Sequence, residues 1–398
     1  MDAAGLKRAV CDRVDQLAEL LIDASHQIHA HPELNFAEHF AHDLLADLLQ
    51  REGIRVERHA YGLATAFDAV AGGGGPTVAV LCEYDALPGV GHACGHNIIA
   101  TAGLGAGLAA AAVAQRAGGR VRIIGTPAEE GGGGKVLMAR RGAFEGVDAA
   151  MMVHPADADL LQMNCLAIQE LLVEYDGHAA HAAAAPWEGR NALDAAVLGY
   201  MNIAAMRQHI RPDERVHGVI TRGGDKPNIV PANAASDWYV RSASVASLQP
   251  LKERVLTALA GAASACGCTM RHEWVDNLYA EMVDNGPLVQ AYVANAATLG
   301  RTVLDPATSA RRVMGSTDMG NISHLVPAIH PMIKVAPDGV PIHSVEFARW
   351  AADEPGDRAV LDGAKAMAMT VVDLWTSATL RESVTDEFDQ RPRGVPVL

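Results

Sequence analysis

Apolar positions along this chain follow two periods, and the expected elements change where the period changes. Over residues 6–30, Leu17, Leu20, Leu21 and Ile28 fall on one side of a helix, and Pro32 breaks it. A second helix is expected over about 37–51, stopping at Gly53. The glycines of 72–75, with Pro76, make a tight loop. Residues 77–81 (TVAVL) are then a continuous apolar run, which reads as a buried strand. An uncharged Ala/Gly/Leu segment over 98–114 predicts a helix packed inside the protein, being short and Ala/Gly-rich for a membrane span. Two more short apolar strands are expected at 121–125 (VRIIG) and 149–153 (AAMMV).

Near Ile168 the pattern shifts. IQELLVEYDGHAAHAA alternates as a strand does, 191–207 has helical spacing, 216–222 and 236–241 read as strands, 251–263 as a helix and 269–275 as a strand. This β-α-β-β-α-β order suits a small α+β, ferredoxin-like domain inserted into a larger α/β one. The expected division is 1–168 and 281–398 for an α/β domain with a mostly parallel sheet and helices on both faces, and 169–280 for the insertion. The last helix is expected at 358–380, with the tail EFDQRPRGVPVL poorly ordered. No internal repeat is visible.

The expected strands of the larger domain end in polar clusters. Residues 82–97 read CEYDALPGVGHACGHN and hold Glu83, Asp85, His92, Cys94 and His96 between strand and helix. The second strand runs into TPAEEGGGGK, with Glu129 and Glu130 adjacent, and the third ends at His154. In a mostly parallel sheet such ends share one edge, so the clusters would meet in space. Cys94 and His96, separated by one glycine in a loop, can converge on a divalent ion; a buried cysteine beside a helix-capping histidine fits the same letters. Three other motifs fail. Ala93 stands where an H-E-x-x-H motif needs Glu, Val136 where a phosphate loop needs Ser or Thr, and Gly103, Gly105 and Gly107 lie inside a helix rather than after a strand.

Composition narrows the class. The chain has 398 residues, 49% of them apolar, enough for two domains with a sizeable core. Its formal charge of −15 argues against nucleic acid and anionic membrane surfaces, though not against a small anionic substrate held by a local arginine. Six scattered cysteines without a secretory signal point to reduced thiols and a cytoplasmic location. Cys266 and Cys268 have no second pair nearby, which makes a metal site of their own improbable.

Adjacent side chains on extended backbone point opposite ways. One of Glu129 and Glu130 can therefore bind a metal while the other faces a water, as metal hydrolases require: an ion to acidify water and a base to take its proton. A solvated acidic pair at a helix start has the same letters. His154 and His343 are each ambiguous alone. Taken together, Cys94, His96, Glu130, His154 and His343 are too many donors for one closed tetrahedral site and suit two ions.

The segments CEYDALPGVGHACGHN, TPAEEGGGG, MMVHP, GHAAHAAAAPWEGRNALDA, NIVPANAASDWYVR, GSTDMGNIS and PIHSVEF occur in an order that resembles the amidohydrolase branch of metallopeptidase family 20. The resemblance spans nearly the whole chain. It is nearest to the subgroup of p-aminobenzoyl-glutamate hydrolases and aminoacylase-1-like proteins, which carry CGHN where others have CGHD. The resemblance implies that Cys94, His96, Glu130, His154 and His343 are ligands to two divalent ions, zinc or manganese, and that Glu129 is the general base. It implies that the inserted domain is a lid that also dimerises. His181 of the lid would then reach the partner's site to steady an oxyanion, while Asn228 and Arg241 lie near the substrate, with Gly315, Ser316 and Asp318 in a substrate-side loop. One departure stands out: classical members of the family have H-x-D after the first strand, with His as a ligand, and here it is Glu83-Tyr84-Asp85. Asp85 then becomes a support for a ligand histidine. The expected activity is hydrolysis of an N-acyl or N-aminoacyl amino acid or small dipeptide. Hydrolysis of another C–N bond, as in an aryl amine deaminase, and binding of amino-acid conjugates without cleavage are the alternatives.

Overall fold

A computed structural model of the chain describes residues 2–308, 314–391 and 396–398. Two compact units emerge: one combines the residues up to Asn164 with 282–391 and Leu398, the other is Cys165–Glu281 with Pro396 and Val397. The observed insertion therefore starts a few residues before the expected 169, because its first strand already begins at Ala167.

The larger unit is built on a six-stranded sheet. Thr77–Glu83 lies in its middle, parallel to Arg120–Thr126 on one side and to Ala149–Met151 on the other, and Ala328–Ile329 extends the parallel part. Every residue of Thr77–Glu83 is buried. Val78, Val80 and Cys82 belong to one apolar cluster, and Ala79 and Leu81 to another on the opposite face. This is why the strand reads as an unbroken apolar run. Two strands that the apolar pattern does not predict, Val56–Arg58 and Phe67–Gly72, add an antiparallel edge, so the sheet is mixed. The first has three residues and the second is half exposed, so neither shows a clear period.

The uncharged segment forms helix His96–Ala117, long and apolar enough to cross a membrane but with 89% of its most apolar window buried inside the protein. Its glycines serve close packing. A Cβ at Gly103 would sit 2.5 Å from Leu81 O, and one at Gly107 2.3 Å from Ile123 Cγ1, so the helix axis rests directly on the sheet. Two other helices differ from the expected bounds. The first breaks at Leu17 into Ala3–Gln16 and Ala18–Ala30. The last breaks at Ser377, whose hydroxyl caps Ala378–Asp389 after Glu354–Thr376. The start of the tail is thus helical, while residues 392–395 lie outside the described ones.

In the second unit, strands Ala167–Asp176, Arg215–Arg222, Asn233–Ser242 and Thr269–Tyr279 form one antiparallel sheet in the order fourth, first, third, second. Helices Ala192–Met206 and Val245–Ala265 pack on each other and against the first and third strands. The first strand stops at Asp176, before the Ala/His run that continues its apparent alternation. Helix Val245–Ala265 starts earlier than expected because the Ser244 capping box launches it and Pro250 is accommodated in its early turns.

Opposite effects are expected at two glycines. Gly107→Val should destabilise by at least ~1–3 kcal/mol, the usual cost of overpacking. Gly261→Ala, where a Cβ meets nothing within 4 Å, should stabilise helix Val245–Ala265 by roughly 0.5–1 kcal/mol. Guanidinium denaturation midpoints check both.

Candidate metal centre

Parallel neighbours bring three strand ends to one edge of the sheet. Glu83 ends the middle strand, and Asp85 follows it. The loop after Arg120–Thr126 carries Glu129 and Glu130. Beyond Ala149–Met151, His154 opens the short strand His154–Ala156, paired with Met332–Lys334. Cys94 joins them because Gly95, with φ 78°, turns the chain into the helix that begins at His96. A Cβ on Gly95 would lie 2.8 Å from Pro155, so only glycine allows this approach.

The ligand atoms converge. Cys94 Sγ lies 3.4 Å from His154 Nε2, near the ~3.5 Å that a thiolate and an imidazole take on one tetrahedral ion. His96 Nδ1 donates to Asp85 Oδ1 at 3.0 Å, and Asp85 Oδ2 accepts the Glu130 N–H at 2.9 Å. Asp85 therefore fixes the tautomer of one donor and the backbone of another. It leaves His96 Nε2 bare, buried and without a hydrogen-bond partner. His154 donates from Nδ1 to Pro155 O at 2.8 Å, which turns its Nε2 toward Cys94. His343 Nε2 lies 3.4 Å from Glu130 Oε1. Two of the donor sets that result are Cys94/His96/His154 and Cys94/Glu130/His343, each with its ligand atoms within 4.8 Å of one another. They share the Cys94 sulfur. Thiolate, imidazole and carboxylate donors with orphaned buried atoms fit zinc-like divalent ions.

The electrostatics favour the same assignment. Burial pushes the Cys94 thiol well up, and the nearby Glu130 adds to it, so a cation is needed to hold the thiolate. Burial, and then the nearby His96, lower His154 to about 4, keeping the ring neutral as a ligand must be. Burial alone would raise Asp85 and Glu130, but His96 pulls Asp85 below its ordinary value, and the hydrogen bond from His343, then the nearby His96, do the same for Glu130. Glu129 behaves oppositely: burial, then Glu83 and Glu130, push it well up. Its Oε2 is 3.8 Å from His96 Nε2.

Two loop residues at the site adopt left-handed backbone without being glycine, Ala128 (φ 57°) and His343 (φ 66°). Each is pinned: the Ala128 N–H donates to Glu38 Oε1 at 2.9 Å, and the His343 N–H to Ala93 O at 2.8 Å. Glu38 is a fully buried anchor that also accepts from Thr65 and from the Phe36 N–H. Nothing in its local sequence marks it.

The remaining expected site residues fall elsewhere. Asp318, expected on a substrate-side loop, is fully buried and bound to Lys135, 2.6 Å from its ammonium. Ser316 is half-buried. His181, Asn228 and Arg241 belong to the second unit. There the exposed His181 accepts the N–H groups of Ala183 and Ala184 on Nδ1, at 3.3 and 3.2 Å. Asn228, also exposed, is its neighbour, its carbonyl accepting the Ala182 N–H at 3.1 Å. Arg241 is half-buried, its guanidinium 5.9 Å from the Tyr239 ring centroid. Lys135 and Glu38 are buried charged residues at the site that sequence reasoning did not single out.

A parallel sheet edge with clustered thiolate, imidazole and carboxylate donors, plus an inserted antiparallel unit, is the architecture of a metal-dependent hydrolase. Residues 67–372 match the model of peptidase family M20/M25/M40. The chain is 39% identical to the Xaa-Arg dipeptidase of Mus musculus, over 96% of this chain and 92% of that protein. It is 29% identical to a p-aminobenzoyl-glutamate hydrolase chain of Escherichia coli, over 96% and 95%. Among solved structures, an aminobenzoyl-glutamate utilization protein from Klebsiella pneumoniae superposes with a TM-score of 0.71 at 22% identity, covering 92% of this chain and 98% of that one. A dinuclear metal binding M20 peptidase from Bacillus subtilis superposes at 0.69 and 20%, covering 90% and 99%. The chain belongs to peptidase family M20/M25/M40 and is a metal-dependent amidohydrolase.

Asp85→Asn should keep the shape but weaken the hold on His96. Metal affinity is expected to fall roughly 10–100-fold, the usual effect of losing a carboxylate behind a ligand histidine, as measured by competition with a chelator.

Proposed function

We propose that the protein hydrolyses the amide bond of an N-acyl or N-aminoacyl amino acid or small dipeptide, using two divalent ions, zinc or manganese, held at the two donor sets that share Cys94. The observation that carries the reading is the division between neighbours: Glu130 joins Cys94 and His343 in a ligand set, while Glu129 stands outside both Cys94 sets. When bound, the ions supply an acidified water and a polarised substrate carbonyl. Glu129 accepts the proton of the attacking water and delivers it to the leaving nitrogen. Its raised proton affinity suits that second task. The likeness to Xaa-Arg dipeptidases makes dipeptides ending in arginine the first substrates to try, with p-aminobenzoyl-glutamate and acyl-amino acids beside them. A mass-spectrometric screen of metal-reconstituted protein tests this, and no turnover of any amino-acid amide would end it.

In this reading the second unit is a lid that pairs two chains. Its outer strand Arg215–Arg222 ends the sheet and exposes Val219 (61%) and Ile220 (39%), and helix Ala192–Met206 exposes Val197, Leu198 and Met201. An apolar open edge of this kind supports pairing with a second copy. His181 then completes the partner's site as an oxyanion donor, with Asn228 beside it and Arg241 for a substrate carboxylate.

Glu129→Gln is expected to keep its metal and lose roughly 10²–10⁴-fold in kcat, the share of general acid–base catalysis. Glu130→Gln should lose metal instead, and metal analysis with kinetics separates the two. Co-expression of His181→Ala with Glu129→Gln should yield heterodimers in which one site is whole. With random mixing, activity recovers to roughly a quarter of wild type per site, by counting over a symmetric pair. Verified heterodimers no more active than their parents would place His181 outside the partner's chemistry.

A further inference from the structure

Lys135 takes no part in the reaction as read so far, yet it is fully buried beside the ligands. Its ammonium lies 2.5 Å from Glu83 Oε1 and 2.6 Å from Asp318 Oδ1, and both carboxylates are fully buried too. Asp318 Oδ2 accepts the backbone N–H of Lys135 at 2.9 Å, so the lysine is held at head and root. The second oxygen of Glu83 faces the metal ligands, with Oε2 3.7 Å from His96 Nε2. Glu83, His96 and Glu129 form a third set whose ligand atoms lie within 4.8 Å of one another. His96 has one bare nitrogen and can serve one ion only. An ion drawn to the third set would take His96 from Cys94 and His154 and would ligate Glu129, removing the base. What Glu83 needs to hold such an ion is its negative charge unshared, and Lys135 occupies that charge.

We propose that Lys135 is a positioning residue, a tethered cation on Glu83 that keeps this carboxylate from competing for an ion, so that ions settle on the sets sharing Cys94 and Glu129 stays unligated. The proposal rests on the metal-hydrolase reading above. It also gives the Glu83 departure from the H-x-D pattern a role: the position contributes an anion that is neutralised from within the chain.

Cobalt(II) reconstitution tests it, because thiolate-to-cobalt charge-transfer absorption reports coordination by Cys94 without reference to turnover. Wild-type protein should show the band. Lys135→Met should lose at least half of the band per bound cobalt, with a fall in kcat of roughly 10²-fold or more, as for a disabled base. Adding Glu83→Gln to Lys135→Met should restore the band, since the competing carboxylate is gone. A full band in Lys135→Met, or a loss that Glu83→Gln leaves unrepaired, overturns the proposal. Should Lys135→Met fail to fold, Glu83→Gln alone decides. An unchanged band there supports a carboxylate kept off the ions, and a weakened band shows that Glu83 is itself a ligand and overturns the proposal. Absence of cobalt binding by wild-type protein would instead remove the metal-hydrolase reading beneath it.

Discussion

Acidic groups gathered at the dry edge of a parallel sheet set the terms for this molecule. Glu83, Asp85, Glu129 and Asp318 are buried there together with the Cys94 thiol. Charges of one sign cannot stay in such a place without partners. The chain answers in three ways. The Lys135 ammonium sits between Glu83 and Asp318. Asp85 is satisfied by the His96 ring and the Glu130 N–H. The donor atoms of Cys94, His96, His154, Glu130 and His343 are left facing one another, an arrangement that added cations would stabilise.

Holding these donors still takes rigid support. The loops that carry them bend through left-handed backbone at Gly95, Ala128 and His343. At Ala128 and His343 the unfavourable conformation is kept by a hydrogen bond from the residue's own N–H to a fixed acceptor. The close seat of helix His96–Ala117 on the sheet, made possible by Gly103 and Gly107, places His96 in turn. Stability and chemistry therefore share residues here: loosening the helix would move a ligand.

The second unit has a different physical character. Its sheet is antiparallel and ends in an open strand with exposed apolar residues. The larger unit, by contrast, buries its central strand on both faces. Under the proposed reading the metal chemistry belongs to the buried sheet edge, and substrate recognition and pairing to the unit with the exposed faces.

Local sequence determined a good deal. Unbroken apolar runs marked the parallel strands, because residues covered on both faces have no polar positions to show. The Cys94-Gly95-His96 turn and the Glu129-Glu130 pair were legible as candidate donors because their chemistry lies within a few neighbouring letters. The β-α-β-β-α-β order of the insertion was legible from its alternating periods. Strands Val56–Arg58 and Phe67–Gly72 were not, being too short or too exposed to carry a period. Only the tertiary structure decided which charges are partners. Lys135 and Asp318 stand 183 residues apart, and Glu38 and Ala128 stand 90 apart. Periodicity carries no information across such distances, since a buried ion pair is chosen by which chain ends the sheet brings together. The sharing of Cys94 between two donor sets was decided the same way. A sulfur can face two ions only where two loops and a strand end close around it, and that closure is a property of the packed sheet edge.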